Sequence, residues 1–136
     1  MNLKKIATLL ETPGVIGTLS TADGDGLPNC AVFGSVRLID EQIIVGMGNN
    51  RTLSNLYQNP HATLLLMIPG TSLLNFQGMR LYLKMNGCEE SGELFEKIKA
   101  EVTREAGRGA AKMIGTVISF DILDGRSLID LSRPTH

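Results

Sequence analysis

The connections between the strand-like runs of this sequence are short, and this most restricts the folds it can form. The segment Asp-Gly-Asp-Gly at residues 23–26 separates two apolar runs, and Asp40-Glu41 separates the next two. Glycine supplies the positive φ angles that tight hairpin turns require. Parallel neighbours need a crossover of a dozen or more residues, and only the helix predicted over Glu93–Arg104 reaches that length. The strands are therefore predicted to be antiparallel.

Apolar periodicity divides the chain into six to seven strands and three helices. The predicted strands are Val15–Ser20, Pro28–Ile39, Gln42–Val45, His61–Ile68, Met79–Met85, Thr116–Ile122 and about Ser127–Leu131. The predicted helices contain Leu3 to Leu10, Leu53 to Tyr57 and Glu93 to Arg104. Gly34 lies inside the long second strand and predicts a bulge or a close backbone approach there. These elements are typical of a mainly β protein, an antiparallel barrel with capping helices.

Size and composition favour one domain over residues 1–136. Acidic and basic residues number 14 and 13, so no surface for nucleic acid is expected. No apolar run approaches the ~20 residues that span a bilayer, and the N-terminus lacks the cleavage site of a signal peptide. We therefore expect a cytoplasmic protein without a membrane partner. Cys30 and Cys88 have no metal-ligand spacing and are expected to be reduced, half-buried thiols.

The segment Gly46–Asn55, GMGNNRTLSN, has the residue types of an anion-binding site. Glycines let a ligand approach the backbone, and the start of the following helix offers unpaired N–H groups and a positive dipole end. Arg51 brings a guanidinium that can bind two phosphate oxygens. Thr52 can cap the helix or donate its hydroxyl to the anion, and Asn55 follows Arg51 by one turn. Together these groups predict a site for a phosphate monoester.

Other interpretations than a phosphate site are also open for these residues. A surface loop with a helix cap and a solvated arginine uses the same residue types. The segment is neither a P-loop nor a dinucleotide fingerprint, because the Gly-Lys-Ser/Thr ending and the third glycine are missing. Glu89, Glu90 and Glu93 precede a helix whose N-terminal dipole they suit. His61 begins a predicted strand and is expected to have a structural or surface role.

The order of the elements along the chain gives further information beside the Gly46–Asn55 segment. A Gly-Val-Ile-Gly-Thr-Leu-Ser strand, an Asp/Gly hairpin, a Pro-Asn-Cys-Ala-Val-Phe-Gly-Ser strand and an Ile-Ile-Val-Gly-Met strand end precede Asn-Arg-Thr-Leu-Ser-Asn-Leu-Tyr-Gln-Asn-Pro-His-Ala. This order resembles the pyridoxamine 5′-phosphate oxidase-like, FMN-binding split-barrel superfamily, in particular its small single-domain FMN-binding proteins. The resemblance runs from Leu3 to about Ile129, and its most specific part is Arg51-Thr52 with Asn55-Leu56 and Asn59-Pro60. It implies a split barrel with FMN as cofactor.

The resemblance also implies which residues bind the cofactor. The start of the short helix would hold the FMN phosphate, the strand after the first hairpin would lie along the isoalloxazine ring, and the strand end before the helix would flank the ring and the ribityl chain. Similar proteins are usually homodimers with the flavin in a cleft between subunits, so a homodimer is expected. The cofactor-binding residues predicted in this way are Arg51 and Thr52 at the phosphate, Cys30, Ala31 and Val32 along the ring, Gly46, Met47 and Gly48 beside the ring and ribityl chain, and Asn49 and Asn55 with them.

The sequence departs from the oxidase that gives the superfamily its name. In that enzyme an arginine-rich C-terminal segment with a tryptophan and a histidine binds the substrate phosphate, whereas this chain ends in Leu131-Ser132-Arg133-Pro134-Thr135-His136 and contains no tryptophan. Oxidation of pyridoxamine phosphate is therefore not expected. The prediction is an FMN-dependent oxidoreductase of unknown substrate, which takes electrons from a reduced nicotinamide or a redox partner protein. A non-catalytic FMN carrier or sensor, an electron-transfer protein, and a deazaflavin- or haem-binding relative are the alternatives.

Overall fold

The computed structural model describes residues 2–129 of the chain. It contains seven strands, four α-helices and one short 3-10 helix at Leu73–Asn75. In chain order the elements are α1 (Leu3–Glu11), β1 (Ile16–Ala22), β2 (Pro28–Val32), β3 (Val36–Ile39), β4 (Gln42–Met47), α2 (Arg51–Gln58), β5 (His61–Ile68), β6 (Gln77–Glu89), α3 (Glu93–Ala106), α4 (Arg108–Lys112) and β7 (Thr116–Ser127). No helix among the described residues is long and apolar enough to cross a membrane.

The seven strands form one antiparallel sheet in the order β2-β1-β5-β6-β7-β4-β3. Its two end strands, β2 and β3, are consecutive in sequence and are joined only by residues 33–35. At this corner the Phe33 N–H donates to the Gly17 carbonyl at 2.9 Å, and the Ser35 hydroxyl donates to the Gly46 carbonyl at 2.9 Å. The corner therefore brings the two ends of the sheet together, and the sheet curls into a split barrel. The predicted antiparallel barrel with capping helices is confirmed.

The strands of the curled sheet bury one face inside the barrel, because successive side chains of a strand point to opposite faces of the sheet. β1 and β5 show this alternation, with Leu19, Leu64 and Leu66 buried. β4 differs from them because Ile43 through Met47 are all buried. One face of β4 packs into the barrel, and Ile44 on the other face packs against α3, α4 and Val117. Burial on both faces explains the uninterrupted apolar run that precedes Gly48.

One predicted strand and one predicted turn were wrong and one helix was not predicted, each because a distant segment decides the local structure. The strand predicted over Pro28–Ile39 is two strands, and Gly34 lies in the corner between them instead of a bulge. The turn predicted at Asp124-Gly125 is absent, because the 13-residue β6 continues to pair with β7 through Ser127. The predicted last strand extends to Leu131, and its end lies outside the described residues. α4 was not predicted, and Gly107 both ends α3 and begins α4.

The predicted burial of the cysteines was also wrong. Cys30 and Cys88 are both exposed. Cys30 shares one face of β2 with Pro28 and Val32, and all three are exposed. Cys88 lies near the far end of β6, beyond the last residue of β6 that pairs with β5. Strand-like patterning indicates a pleated backbone, but it does not indicate which strands lie at the edges.

Candidate functional site

The N-terminus of α2 is positioned by a cap that lies two residues before the predicted one. Asn50 has extended backbone angles, and its side-chain oxygen accepts from the Leu53 N–H at 2.9 Å. The interpretation of Thr52 as the cap is therefore wrong, because Thr52 lies inside the first turn. Since Asn50 satisfies the Leu53 N–H and the Asn50 carbonyl accepts from Ser54, the N–H groups of Arg51 and Thr52 are those without an acceptor in the helix. Arg51 is exposed, while only 1% of Thr52 is exposed.

Asn55 lies one turn further along α2 and faces the barrel. It is only 4% exposed, and its Nδ2 donates to the Thr21 Oγ1 of β1 at 3.1 Å. At the end of the helix the Gln58 Oε1 accepts from the Gly24 N–H at 2.9 Å, in the turn between β1 and β2. α2 therefore lies alongside the β1–β2 hairpin, and Asn55 fixes it there. Contact between Asn55 and a ligand stays a prediction.

The free edge of β2 presents the backbone groups of two of the three predicted ring-contacting residues. β2 pairs only with β1, so its other edge has no strand partner within residues 2–129. Because Phe33 donates to Gly17 and bonded pairs alternate along an antiparallel ladder, the N–H of Ala31 points toward β1. The N–H groups of Cys30 and Val32 therefore point to the free edge. Ala31 has no backbone group on that edge.

The end of β4 contributes to a cavity of about 310 Å³ with the β2–β3 corner and the α3–α4 region. Four of the predicted residues line it: Val32, Gly46, Met47 and Gly48. The other predicted residues, Cys30, Ala31, Asn49, Arg51, Thr52 and Asn55, do not. Arg51 follows Gly48 by three residues, so the start of α2 and the Val32 end of β2 lie at the same end of the barrel.

Gly46 and Gly48 let the segment after α4 approach β4 closely. A Cβ atom at Gly48 would lie 2.9 Å from the Met113 carbonyl oxygen, and one at Gly46 would lie 3.0 Å from the Ile114 Cδ1. The Gly115 N–H donates to the Met47 carbonyl at 3.0 Å in the same region. Packing within the chain is thus a reason for these glycines that the sequence pattern did not show.

The far wall of this cavity consists of residues that sequence reasoning missed. They are Phe33, Gly34 and Ser35 at the corner, Val102, Glu105 and Ala106 on α3, and Ala110, Met113 and Ile114 on or after α4. The α3–α4 residues lie more than fifty positions after Gly48, and apolar spacing on α3 indicated only that it has a buried face. No local motif connected them with the Gly46–Asn55 segment.

A tyrosine on α2 forms a second polar contact that the sequence did not predict. The Tyr57 hydroxyl and the Cys88 Sγ lie 3.4 Å apart. The hydrogen bond with Cys88, followed by desolvation and by the negative charges of Cys88 and Glu90, raises the pKa of Tyr57 to about 12. Tyr57 is therefore a neutral phenol at physiological pH. It links the C-terminal turn of α2 to the end of β6.

A larger cavity, of about 690 Å³, lies between α1 and the start of β6, beside Leu128 and Ile129. None of the predicted site residues lines it. Its size is therefore no argument for placing the cofactor there, because neither Arg51 nor the free edge of β2 reaches it.

The fold of this chain is similar to the folds of solved structures, although its sequence matches no protein-family model or curated protein. No protein-family model matches the sequence, and no curated protein matches it. Among solved structures, an FMN-binding protein from Syntrophomonas wolfei subsp. wolfei superposes with a TM-score of 0.83 at 22% identity, covering 96% of this chain and 88% of that chain. A Listeria innocua protein provisionally assigned as a pyridoxamine 5′-phosphate oxidase superposes with a TM-score of 0.69 at 19% identity, covering 92% and 96%.

The chain has the fold of the pyridoxamine 5′-phosphate oxidase-like split barrels. This fold does not fix the ligand. HutZ, the haem storage protein of Vibrio cholerae, superposes on this split barrel with a TM-score of 0.71 at 16% identity, covering 91% of this chain and 92% of HutZ. The cofactor must therefore be argued from the residues of this chain.

Proposed function

We propose that this split barrel is an FMN-binding oxidoreductase. The observation that carries the proposal is the arrangement of α2 and β2: the helix N-terminus with Arg51 opens at the end of the barrel where the free edge of β2 finishes at Val32. The first offers donors for a phosphate, and the second offers donors for a flat ring with acceptor atoms. FMN carries both features in one molecule.

The phosphate fits the start of α2. The N–H groups of Arg51 and Thr52 have no acceptor in the helix, and the positive end of the helix dipole favours an anion. The exposed Arg51 guanidinium adds a fixed charge that can bind two phosphate oxygens. No acidic residue occurs in the first turn of α2, so no carboxylate of the helix competes for these donors.

The ring fits the edge of β2. The N–H groups of Cys30 and Val32 point outward, and they lie two residues apart on the same edge. Donors at this spacing can bind two acceptor atoms along one side of a flavin ring. Bound FMN would supply hydride and electron transfer, and the protein supplies orientation and hydrogen bonds that favour the reduced, anionic ring. Cys30 acts here through its backbone, and its thiol forms a wall of the site.

The exposed apolar side chains of the β1–β2 hairpin support a homodimer with the flavin in the cleft between subunits. Val32 is 71% exposed and Leu27 is 67% exposed. Large apolar groups at an open strand edge favour a covering partner, and a second copy together with the ring would cover them. The proposal includes a cytoplasmic location and electrons from a reduced nicotinamide or a redox partner protein.

A visible absorption spectrum and a turnover assay test the proposal. Purified protein mixed with FMN and then desalted is expected to retain a two-band flavin spectrum. Oxidation of a reduced nicotinamide with a small-molecule acceptor would support the enzyme, whereas tight FMN without turnover would support a carrier, a sensor or an electron-transfer protein. Retention of a deazaflavin or haem, with no retention of FMN, would contradict FMN as the cofactor.

A further inference from the structure

The cavity beside the end of β4 has walls that restrict what it can bind. Most of its lining is apolar or lacks a side chain: Val32, Phe33, Gly34, Gly46, Met47, Gly48, Val102, Ala106, Ala110, Met113 and Ile114. The two polar side chains among the lining residues are Ser35 and Glu105. The Ser35 hydroxyl already donates to the Gly46 carbonyl. The cavity therefore offers mainly dispersion contacts and apolar burial.

The one ionisable group in the lining is already paired. The Glu105 Oε2 accepts from the Arg37 Nη2 at 2.8 Å, and the Arg37 Nε lies 2.9 Å from the Glu101 Oε2. Arg37 thus holds two carboxylates of α3 against β3. A ligand with a net charge would therefore find no uncompensated partner among the described lining side chains.

The size of the cavity matches a small organic molecule. Its volume of about 310 Å³ is at the lower end of the ~300–1,000 Å³ that small-molecule sites enclose. Space is available because Ala106 and Ala110 contribute only methyl groups. Larger residues at the two alanine positions would fill it.

We propose that this cavity binds a small, uncharged, largely apolar molecule. Val32 both lines the cavity and ends the free edge of β2, so a molecule in the cavity would lie next to whatever occupies that edge. The cavity would then hold the second reactant of a flavin bound along β2, and this role rests on the proposed function. The α3–α4 region would determine which reactants fit.

The test uses two probes of almost the same shape, one aromatic amide and one aromatic acid. 2-Naphthamide is neutral and 2-naphthoate is an anion, and the affinity of the full chain for each is measured by isothermal titration calorimetry. We expect 2-naphthamide to bind at least about tenfold more tightly than 2-naphthoate, which corresponds to about 1.4 kcal/mol. Equal or reversed affinities would overturn the assignment of an uncharged ligand.

Cavity-filling variants locate the binding. Ala106→Leu and Ala110→Leu are each expected to weaken 2-naphthamide binding at least about tenfold. Ala100→Leu is the matched control, because Ala100 is exposed on α3 and does not line the cavity. Circular dichroism and thermal unfolding establish that each variant is folded. Parent-like binding in both folded cavity variants would overturn the proposal, and so would equal weakening in Ala100→Leu.

A repeat with saturating FMN separates this inference from the proposed function. 2-Naphthamide is expected to bind with and without FMN, because only Val32 among the donors proposed for FMN also lines the cavity. Loss of 2-naphthamide binding when FMN is present would overturn the role as the site of the second reactant. Absence of FMN binding, with 2-naphthamide bound as expected, would contradict the proposed function and leave the cavity assignment supported.

Discussion

The Asn55 Nδ2 donates to the Thr21 Oγ1 at 3.1 Å, and both residues are 4% exposed. This buried hydrogen bond connects α2 to β1, and α2 presents Arg51 at its other end. A polar group that is buried without a partner costs about 1–3 kcal/mol. The bond therefore stabilises the protein and also fixes the helix whose N-terminus is proposed to hold the phosphate.

Thr21→Val is expected to lower the free energy of unfolding by about 1–3 kcal/mol, because it leaves the Asn55 amide without its partner. Urea unfolding followed by circular dichroism measures the change. In a double-mutant cycle with Asn55→Leu, the two effects should not be additive, since both variants remove one interaction. Additive losses would show that the two side chains act independently.

Gly48→Ala is expected to destabilise the protein by about 1–3 kcal/mol, because the new methyl group would lie 2.9 Å from the Met113 carbonyl oxygen, a backbone atom that moves only with its segment. Gly34→Ala is the matched control, since a Cβ atom there has no neighbour within 4 Å among the described residues. Thermal unfolding compares the two variants. Equal stabilities would contradict the close approach of the segment after α4 to the end of β4.

Arg37→Ala is expected to lower the free energy of unfolding by about 0.5–2 kcal/mol. The change leaves Glu101 and Glu105 without their partner, and partial exposure to water limits the cost. The exposed fractions of the Arg37 and Glu101 side chains are 18% and 23%. Urea unfolding in low salt and in 1 M salt measures the effect, with Arg104→Ala on the exposed face of α3 as control. A loss no larger than that of Arg104→Ala would contradict the ion pairs.

Tyr57 is expected to ionise well above the usual range of a tyrosine, because the contact with Cys88 raises the pKa of Tyr57 to about 12. The folded protein therefore binds the Tyr57 proton more tightly than the unfolded chain does. This contribution to the free energy of unfolding is fully present below the unfolded pKa of about 10. It is lost as the pH rises through about 12. Absorbance of phenolate in Tyr82→Phe follows Tyr57 alone. Cys88→Ala should lower this pKa toward 10, and an unchanged titration would contradict the role of the thiol.

The local sequence predicted those elements whose neighbours do not alter them. His61–Ile68 was predicted with its observed bounds, since it is a nearly continuous apolar run and Asn59-Pro60 stops the preceding helix. A short helix was predicted through Leu53 and Tyr57, and the structure has it at Arg51–Gln58. The corner at residues 33–35, α4 and the continuous β7 were not predictable in this way, because each depends on partners distant in sequence. The same holds for the α3–α4 wall of the cavity.

In the candidate site, too, some features could be predicted from the local sequence and others depend on segments distant in sequence. The donors at Arg51 and Thr52 could be predicted from residue types within one short segment. The contribution of β2 depends on which strand lies at the end of the sheet, and on the register that turns Cys30 and Val32 outward. Neither can be read from the alternation of a single strand, since a shift by one residue would exchange the outward and inward groups.

The comparison of FMN with riboflavin in the parent and in Arg51→Ala tests the central claim most directly. Riboflavin has the same ring and ribityl chain without the phosphate. The account predicts that Arg51→Ala weakens FMN binding by about 1.5–3 kcal/mol, roughly ten- to hundredfold in Kd, and leaves riboflavin binding unchanged. Equal FMN affinity in parent and variant, or an equal loss for both ligands, would contradict a phosphate site at the start of α2.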